Sequence, residues 1–159
     1  MSKVDLDRID RKILHELMRD ATIPVAQLAE RVGLSQTPCW KRVQKLETAG
    51  IIMGRVAIVD PAQIGLGLRV FVEIEAPDHS REWRAEFRAA IAEFPQIVEV
   101  HRMAGDVDYL HKVAVADMAA FDDFYLQLTR RLPCRNVTSK FSMEVIRDTT
   151  VWPIDTVTA

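Results

Sequence analysis

The apolar residues of this 159-residue chain change their spacing once, near residue 60, and that change limits what the chain can fold into. Before it, they recur every three to four residues. After it, stretches of strict alternation are interleaved with further helical stretches. A helical stripe and an alternating strand bury different sets of positions, so neither pattern can serve as the other. The chain is therefore expected to be α+β, helices first and a mixed sheet-and-helix part second.

In the first part, residues 7–20 place Ile9, Ile13, Leu14 and Leu17 on one helical face. Pro24 interrupts, and residues 25–32 form a second helix with Leu28, Ala29 and Val32 inward. Gly33 follows where a helix end favours a left-handed residue. Ser35 is a natural N-cap for a third helix reaching about Ala49, and Pro38 falls in its first turn, where a missing N–H loses no helical bond. Gly50 ends it. Three short helices with a glycine turn between the second and third are the helix-turn-helix pattern, here expected over residues 1–52 in a winged-type arrangement. Residues 51–60 read as a strand-like connector, and the linker as a whole runs over 53–67, with Gly65 and Gly67 in its loop.

The second part, residues 68–159, reads in the order β-α-β-β-α-β, a ferredoxin-like arrangement. Its strands are expected over residues 68–76, 97–104, 109–116 and 137–146. A helix over 81–94 carries the stripe Trp83, Phe87, Ile91 and Phe94. A second, capped by Asp117, carries Met118, Phe121, Tyr125, Leu128 and Leu132. Gly105-Asp106-Val107-Asp108 joins the middle strands as a hairpin turn. Two helices cover one face of such a sheet. Ile97 and Met103 alternate with Val98 and Val100, and Leu110 and Ala114 with Val113 and Val115, so both faces read as apolar. That pattern predicts pairing of two sheets in a dimer.

Charge is uneven. Residues 1–55 carry 10 Lys and Arg against 7 Asp and Glu, and the remainder 11 against 16. A basic first third on an acidic remainder suits a nucleic-acid contact confined to one end. No apolar run approaches the roughly 20 residues of a membrane span, and the polar, acidic N-terminus shows no signal peptide, so a cytoplasmic location is expected. Cys39 and Cys134 read as two reduced thiols. The histidines, His15, His79, His101 and His111, are scattered, so neither a metal nor a cofactor is expected. No nucleophile–base pair is visible, which argues against an enzyme.

On the third helix, Cys39, Val43 and Leu46 share one face and should pack inward. Thr37, Lys41, Gln44, Lys45 and Thr48 lie opposite, with Trp40 and Arg42 on the flanks. Gln, Lys and Thr can read base edges in a major groove. Gln36, Thr37 and Lys41, nearest the helix start, are the base-reading candidates, and Arg42 and Lys45 the phosphate contacts. The same face could equally be a solvated lysine surface, and Trp40 a packing residue.

The residues Asp10-Arg11-Lys12-Ile13-Leu14, Leu28-Ala29-Glu30-Arg31-Val32-Gly33-Leu34-Ser35, Thr37-Pro38-Cys39, Leu46-Glu47 with Gly50-Ile51-Ile52, Asp60-Pro61, Ile64-Gly65 and Gly105-Asp106-Val107-Asp108-Tyr109-Leu110 resemble the Lrp/AsnC family, the feast/famine regulators. The resemblance covers nearly the whole chain. It implies a transcription regulator that binds double-stranded DNA through its first domain and a small amino-acid effector through its second. It further implies dimers that assemble into tetramers, octamers or larger rings, with effectors held between dimers near the hairpin. Gly105, Asp106 and Asp108 carry over as effector-site candidates, with Thr138 and Ser139. Read without the family, Asp106 and Asp108 are ordinary turn residues. A narrower likeness, in Thr37-Pro38-Cys39-Trp40-Lys41-Arg42, Ile64-Gly65-Leu66-Gly67-Leu68, Met103-Ala104-Gly105 and Val137-Thr138-Ser139, is to regulators tied to cysteine detoxification and makes cysteine the first effector to consider. The chain departs from the family at His111, where an aliphatic residue is usual, and at Cys134, where glycine is common. Both departures permit a specialised use such as thiol or metal sensitivity.

Overall fold

The computed structural model describes residues 5–156, which fall into two compact units. One holds residues 5–57 with 146–156, the other residues 58–145. The outermost residues of both expected domains, 1–4 and 157–159, lie outside the described residues.

The first unit contains α1 (Arg8–Arg19), α2 (Val25–Val32) and α3 (Gln36–Thr48). Asp7 caps α1, its Oδ1 accepting from the N–H groups of Ile9 and Asp10 at 2.8 Å each. Gly33 ends α2 at φ 76°, a conformation that costs most residues with a Cβ but not glycine. Ile13, Leu28, Val32, Cys39 and Leu46 meet in the core. Each large apolar side chain buried there contributes roughly 1.5–3 kcal/mol. The connector expected to be strand-like over residues 51–60 forms no strand, and Met53, Val56 and Ile58 are largely exposed. A strand needs a partner for its backbone groups, and the described residues offer this segment none. The second domain was expected to run to residue 159, yet residues 146–156 cluster with the helices. Thr150 Oγ1 donates to the Met18 carbonyl at 2.8 Å, Arg11 donates to the Ile154 carbonyl, and Ile154 packs against the helical core.

The second unit contains β1 (Leu68–Glu75), α4 (Arg81–Ala92), β2 (Ile97–Arg102), β3 (Tyr109–Val115), α5 (Met118–Arg131) and β4 (Asn136–Phe141). The antiparallel sheet has the order β2-β3-β1-β4, which is the ferredoxin-like topology. Val70, Val72 and Ile74 of β1 face the helices with Tyr109, Val113 and Val115 of β3. Trp83, Phe87, Phe121, Phe124 and Leu128 meet them from α4 and α5. Phe124, outside the expected stripe, is buried in the α5 core, whereas Met118, expected in it, is exposed. β4 stops at Phe141, short of residue 146; Ser142 N–H still donates to the Arg69 carbonyl at 3.0 Å, but β1 begins at Leu68 and its register reaches no further than residue 143.

The other sheet face is more polar than the alternation suggests. Register places Phe71, Glu73, Leu110, Lys112, Glu99 and Lys140 on it, with Lys140 paired to Glu73 and Lys112 to Glu99. A register shift between Ile97 and Glu99 breaks the alternation in β2, turning Ile97 and Val100 toward the core and leaving Val98 exposed. The open face is thus a charged border around Phe71 and Leu110. Among the described residues, no helix is long and apolar enough to cross a membrane.

Candidate nucleic-acid interface and effector site

Cys39, Val43 and Leu46 are buried, so the rotation of α3 about its axis is fixed by its core contacts. That rotation exposes Gln36, Thr37, Trp40, Lys41, Gln44 and Lys45 together. Ser35 stands at the N-cap position, but its side chain makes no capping bond. A capping oxygen accepts from the second or third helical N–H, and the third residue here is Pro38, which has none. The first-turn donors of α3 are therefore not taken up by Ser35, and the positive end of the helix dipole is open to an anion. Gln44 Nε2 donates to Glu47 Oε2 at 2.8 Å, and Glu47 Oε1 receives Arg55 at 3.0 Å. Trp40, 53% exposed, is no core residue; it lines a groove of about 380 Å³ with Leu17, Ile23, Val25 and Leu28.

Arg42 differs from expectation. Its Nη1 lies 2.6 Å from Asp7 Oδ2 and 2.7 Å from Asp10 Oδ1, and Asp10 is 1% exposed. The guanidinium tethers α3 to the start of α1, so it is not the free phosphate contact that its flanking position suggested. The bonds from Asp7 and then Asp10 raise the Arg42 pKa further. Those from the Asp10 N–H and then Arg42 hold the Asp7 carboxyl below its usual range.

At the hairpin, Met103 N–H donates to the Asp108 carbonyl at 2.8 Å, and Gly105 adopts φ 144°, a backbone region that favours glycine. Asp106 is exposed. Asp108 is not: its Oδ2 accepts from the Ala76 N–H at 2.8 Å, its own N–H donates to the Ile74 carbonyl, and His79 Nε2 stands 3.7 Å from its Oδ1. Asp108 therefore pins the end of β1 to the hairpin, a structural duty that leaves Asp106 the more available carboxylate. Tyr109, Ile74 and Val137 align across three strands, so the hairpin and the start of β4 share one end of the sheet with β1 between them. Thr138 pairs with Glu73 on the open face, whereas Ser139 pairs with Val72 on the helix face. Adjacent strand residues point oppositely, so these two cannot meet one ligand from the same side. Asn136, missed by the sequence reading, donates from Nδ2 to Glu75 Oε1 at 3.1 Å and adds polar groups to this end.

Neither departure residue has the surroundings of a sensor. Burial pushes the Cys134 thiol up to about 11, so at pH 8 only about one thiol in a thousand is the reactive thiolate. Cys134→Ser is expected to leave the response of the protein to peroxide unchanged, and alkylation of Cys134 at pH 8 to be far slower than that of a free thiol; rapid single-site labelling at Cys134 would overturn this. His111 is fully buried beside Phe87, their rings 5.5 Å apart, and neither ring nitrogen has a hydrogen-bond partner. Among the described residues, no group of three His, Cys, Asp or Glu could hold a metal.

This architecture agrees with known proteins. Residues 6–47 match the AsnC-type helix-turn-helix domain, and residues 69–152 the Lrp/AsnC ligand binding domain. The chain is 48% identical over 151 residues to the DNA-binding transcriptional activator DecR of Escherichia coli K12, covering 94% of this chain and 99% of the relative. An AsnC family transcriptional regulator from Agrobacterium tumefaciens superposes with a TM-score of 0.90 at 50% identity, over 94% of this chain and 97% of that one. A transcriptional regulator from Neisseria meningitidis solved as its L-Met complex superposes with a TM-score of 0.91 at 32% identity, over 95% and 98%. With both of its parts matched and relatives this similar along nearly its full length, the chain belongs to the Lrp/AsnC family.

Proposed function

We propose that this protein is a cytoplasmic transcriptional regulator that reads double-stranded DNA with α3 and is modulated by a small amino acid bound near Asp106. The observation that carries the reading is the fixed rotation of α3, which presents Gln36, Thr37, Lys41, Gln44 and Lys45 as one exposed surface. Thr37 and Lys41 offer donors to base edges, and Lys45 a charge for phosphate. The open sheet face, with Phe71 and Leu110 inside a charged border, suits pairing with a second copy. A dimer would offer two recognition helices to half-sites about 34 Å apart, or a multiple of that distance. Glycine and hydroxyl groups near the hairpin can serve an effector's carboxylate and Asp106 its ammonium; cysteine is the first amino acid to test, and binding between dimers would couple to assembly.

The test is a thermal-shift screen of the twenty amino acids under reducing conditions, with Asp106→Ala in parallel. A ligand at a hundred times its Kd should stabilise the fold by about 2.7 kcal/mol. A shift with one or a few amino acids, abolished in Asp106→Ala, is the expected result; no shift with any of them removes the effector half of the reading. For the DNA half, Lys41→Ala should narrow the gap between a duplex selected from a random pool and an unselected one, whereas Lys45→Ala should weaken both equally. Equal losses for both variants on both duplexes would refute that division of roles.

A further inference from the structure

The solvent face of α1 carries a cationic stripe that the recognition-helix reading does not use. At about 100° per residue, Arg8, Lys12, His15 and Arg19 all fall within about 40° of the direction opposite Asp10. Asp10 is bonded to Arg42 of α3, so the stripe points away from α3. It is concave: Arg8, Arg11, Lys12, His15 and Arg31 line a groove of about 460 Å³, closed on one side by Asp155 of the returning C-terminal segment.

Two features set this face apart from an ordinary solvated helix. Such helices intersperse acids and bases at three- and four-residue spacing, and like charges there are destabilising. Here Arg8 precedes Arg11 by three residues and Lys12 by four, and Glu16, the one carboxylate that α1 contributes to the groove, is bonded to Arg31 at 2.7 Å. Arg8, Lys12 and Arg19 are exposed and form no ion pair among the described residues. Like charges at this spacing, with Glu16 already engaged by Arg31, repel one another in the free protein, and an anionic partner would relieve that repulsion. The stripe from residue 8 to residue 19 is also long, about 16 Å at 1.5 Å per residue. That exceeds what one small anion can span and suits a row of phosphates.

We infer that the outer face of α1 is a second phosphate-backbone site, which takes a DNA segment other than the one engaged by α3. One helical unit would then hold two duplex segments on different faces, the inner by sequence and the outer by charge alone. This site does not depend on which bases α3 reads.

The test is binding of the full-length protein to an unselected 20-base-pair duplex, measured by anisotropy between 50 and 200 mM salt. Three proteins are compared: wild type, Arg8→Gln/Lys12→Gln/Arg19→Gln, and the charge-preserving Arg8→Lys/Arg19→Lys. Each phosphate contact contributes about 0.9 to the slope of log K against log salt, so losing three cations should lower the slope by about 2–3 and the affinity at 50 mM salt by at least about tenfold. The charge-preserving variant should bind as wild type does. The glutamine substitutions should also remove the binding that remains in a Lys41→Ala/Lys45→Ala background, which separates this site from the α3 surface. Unchanged slope and affinity in the glutamine variant would overturn the inference. So would equal loss in the charge-preserving variant, or protection of the stripe by inorganic phosphate with no effect on duplex binding.

Discussion

His111→Leu should make the protein more stable below neutral pH and flatten its acid sensitivity between pH 6.5 and 4. In the fold, His111 is sealed between Val72 of β1 and Val100 of β2 beneath Phe87, with no partner on either ring nitrogen. Desolvation alone depresses its pKa from 6.5 to about 4. The folded state therefore keeps the ring neutral, while the unfolded chain takes up a proton as the pH falls below 6.5. Stability falls wherever the unfolded state binds more protons than the folded one. For this residue the loss begins near pH 6.5 and is complete near pH 4, at up to about 1.4 kcal/mol per pH unit, about 3 kcal/mol in all. Leucine has no proton to bind and leaves no orphaned polar atom, so it is also expected to stabilise at pH 7, by roughly the 1–3 kcal/mol attached to an unsatisfied buried group. Urea midpoints for both proteins at pH 7.0 and 5.0 decide this. The wild type should lose about 2 kcal/mol between the two values beyond any loss in the variant; parallel losses would mean that the ring is hydrated or paired in solution.

The same histidine shows how much was legible before any coordinates. Alternation through Tyr109, His111 and Val113 places all three on one strand face, but with both faces reading as apolar it does not say which of them the helices cover. Nor could the alternation supply the absence of a partner, because that depends on Val72, Val100 and Phe87 arriving from three other elements. The helices of the first unit were legible almost to the residue, since their punctuation is local: Asp7, Pro24, Gly33, Ser35 and Gly50 stand at the ends the structure shows. The failures lie where pairing is non-local. Residues 53–60 have strand composition without a strand to pair with. The register shift at Ile97 redirects Val98, and strict alternation cannot foresee it. The return of residues 146–156 to α1 rests on contacts more than 130 positions apart in sequence. At the effector end, the opposite orientation of Thr138 and Ser139 follows from the two-residue strand period alone, whereas the engagement of Asp108 by Ala76 required the third dimension.

Arg42→Ala should destabilise the helical unit by about 2–4 kcal/mol, and Asp10→Leu introduced with it should recover most of that loss. The signal for this pair was present in the sequence. Asp10 stands three and four residues before Ile13 and Leu14, on the buried stripe of α1, where an acid is costly unless paired. The structure supplies the pair across 32 positions of sequence: Arg42 Nη1 donates to Asp10 Oδ1 at 2.7 Å and to Asp7 Oδ2 at 2.6 Å. Alanine at 42 removes both bonds and leaves the Asp10 carboxylate, 1% exposed, with no side-chain donor. Two-thirds of the Arg42 side chain is itself buried, so its methylenes also contribute packing that alanine lacks. Removing one partner of a buried pair costs far more than removing both, because the charge left behind must stay desolvated. Four urea curves, for wild type, each single variant and the double, give the coupling directly. A coupling near zero would mean that water already solvates Asp10. If the coupling is large, and Arg42→Met/Asp10→Leu also binds an unselected duplex with wild-type salt dependence, then Arg42 serves the angle at which α3 is presented rather than the phosphates that α3 meets. A lower salt slope in that folded double variant would return Arg42 to the list of phosphate contacts.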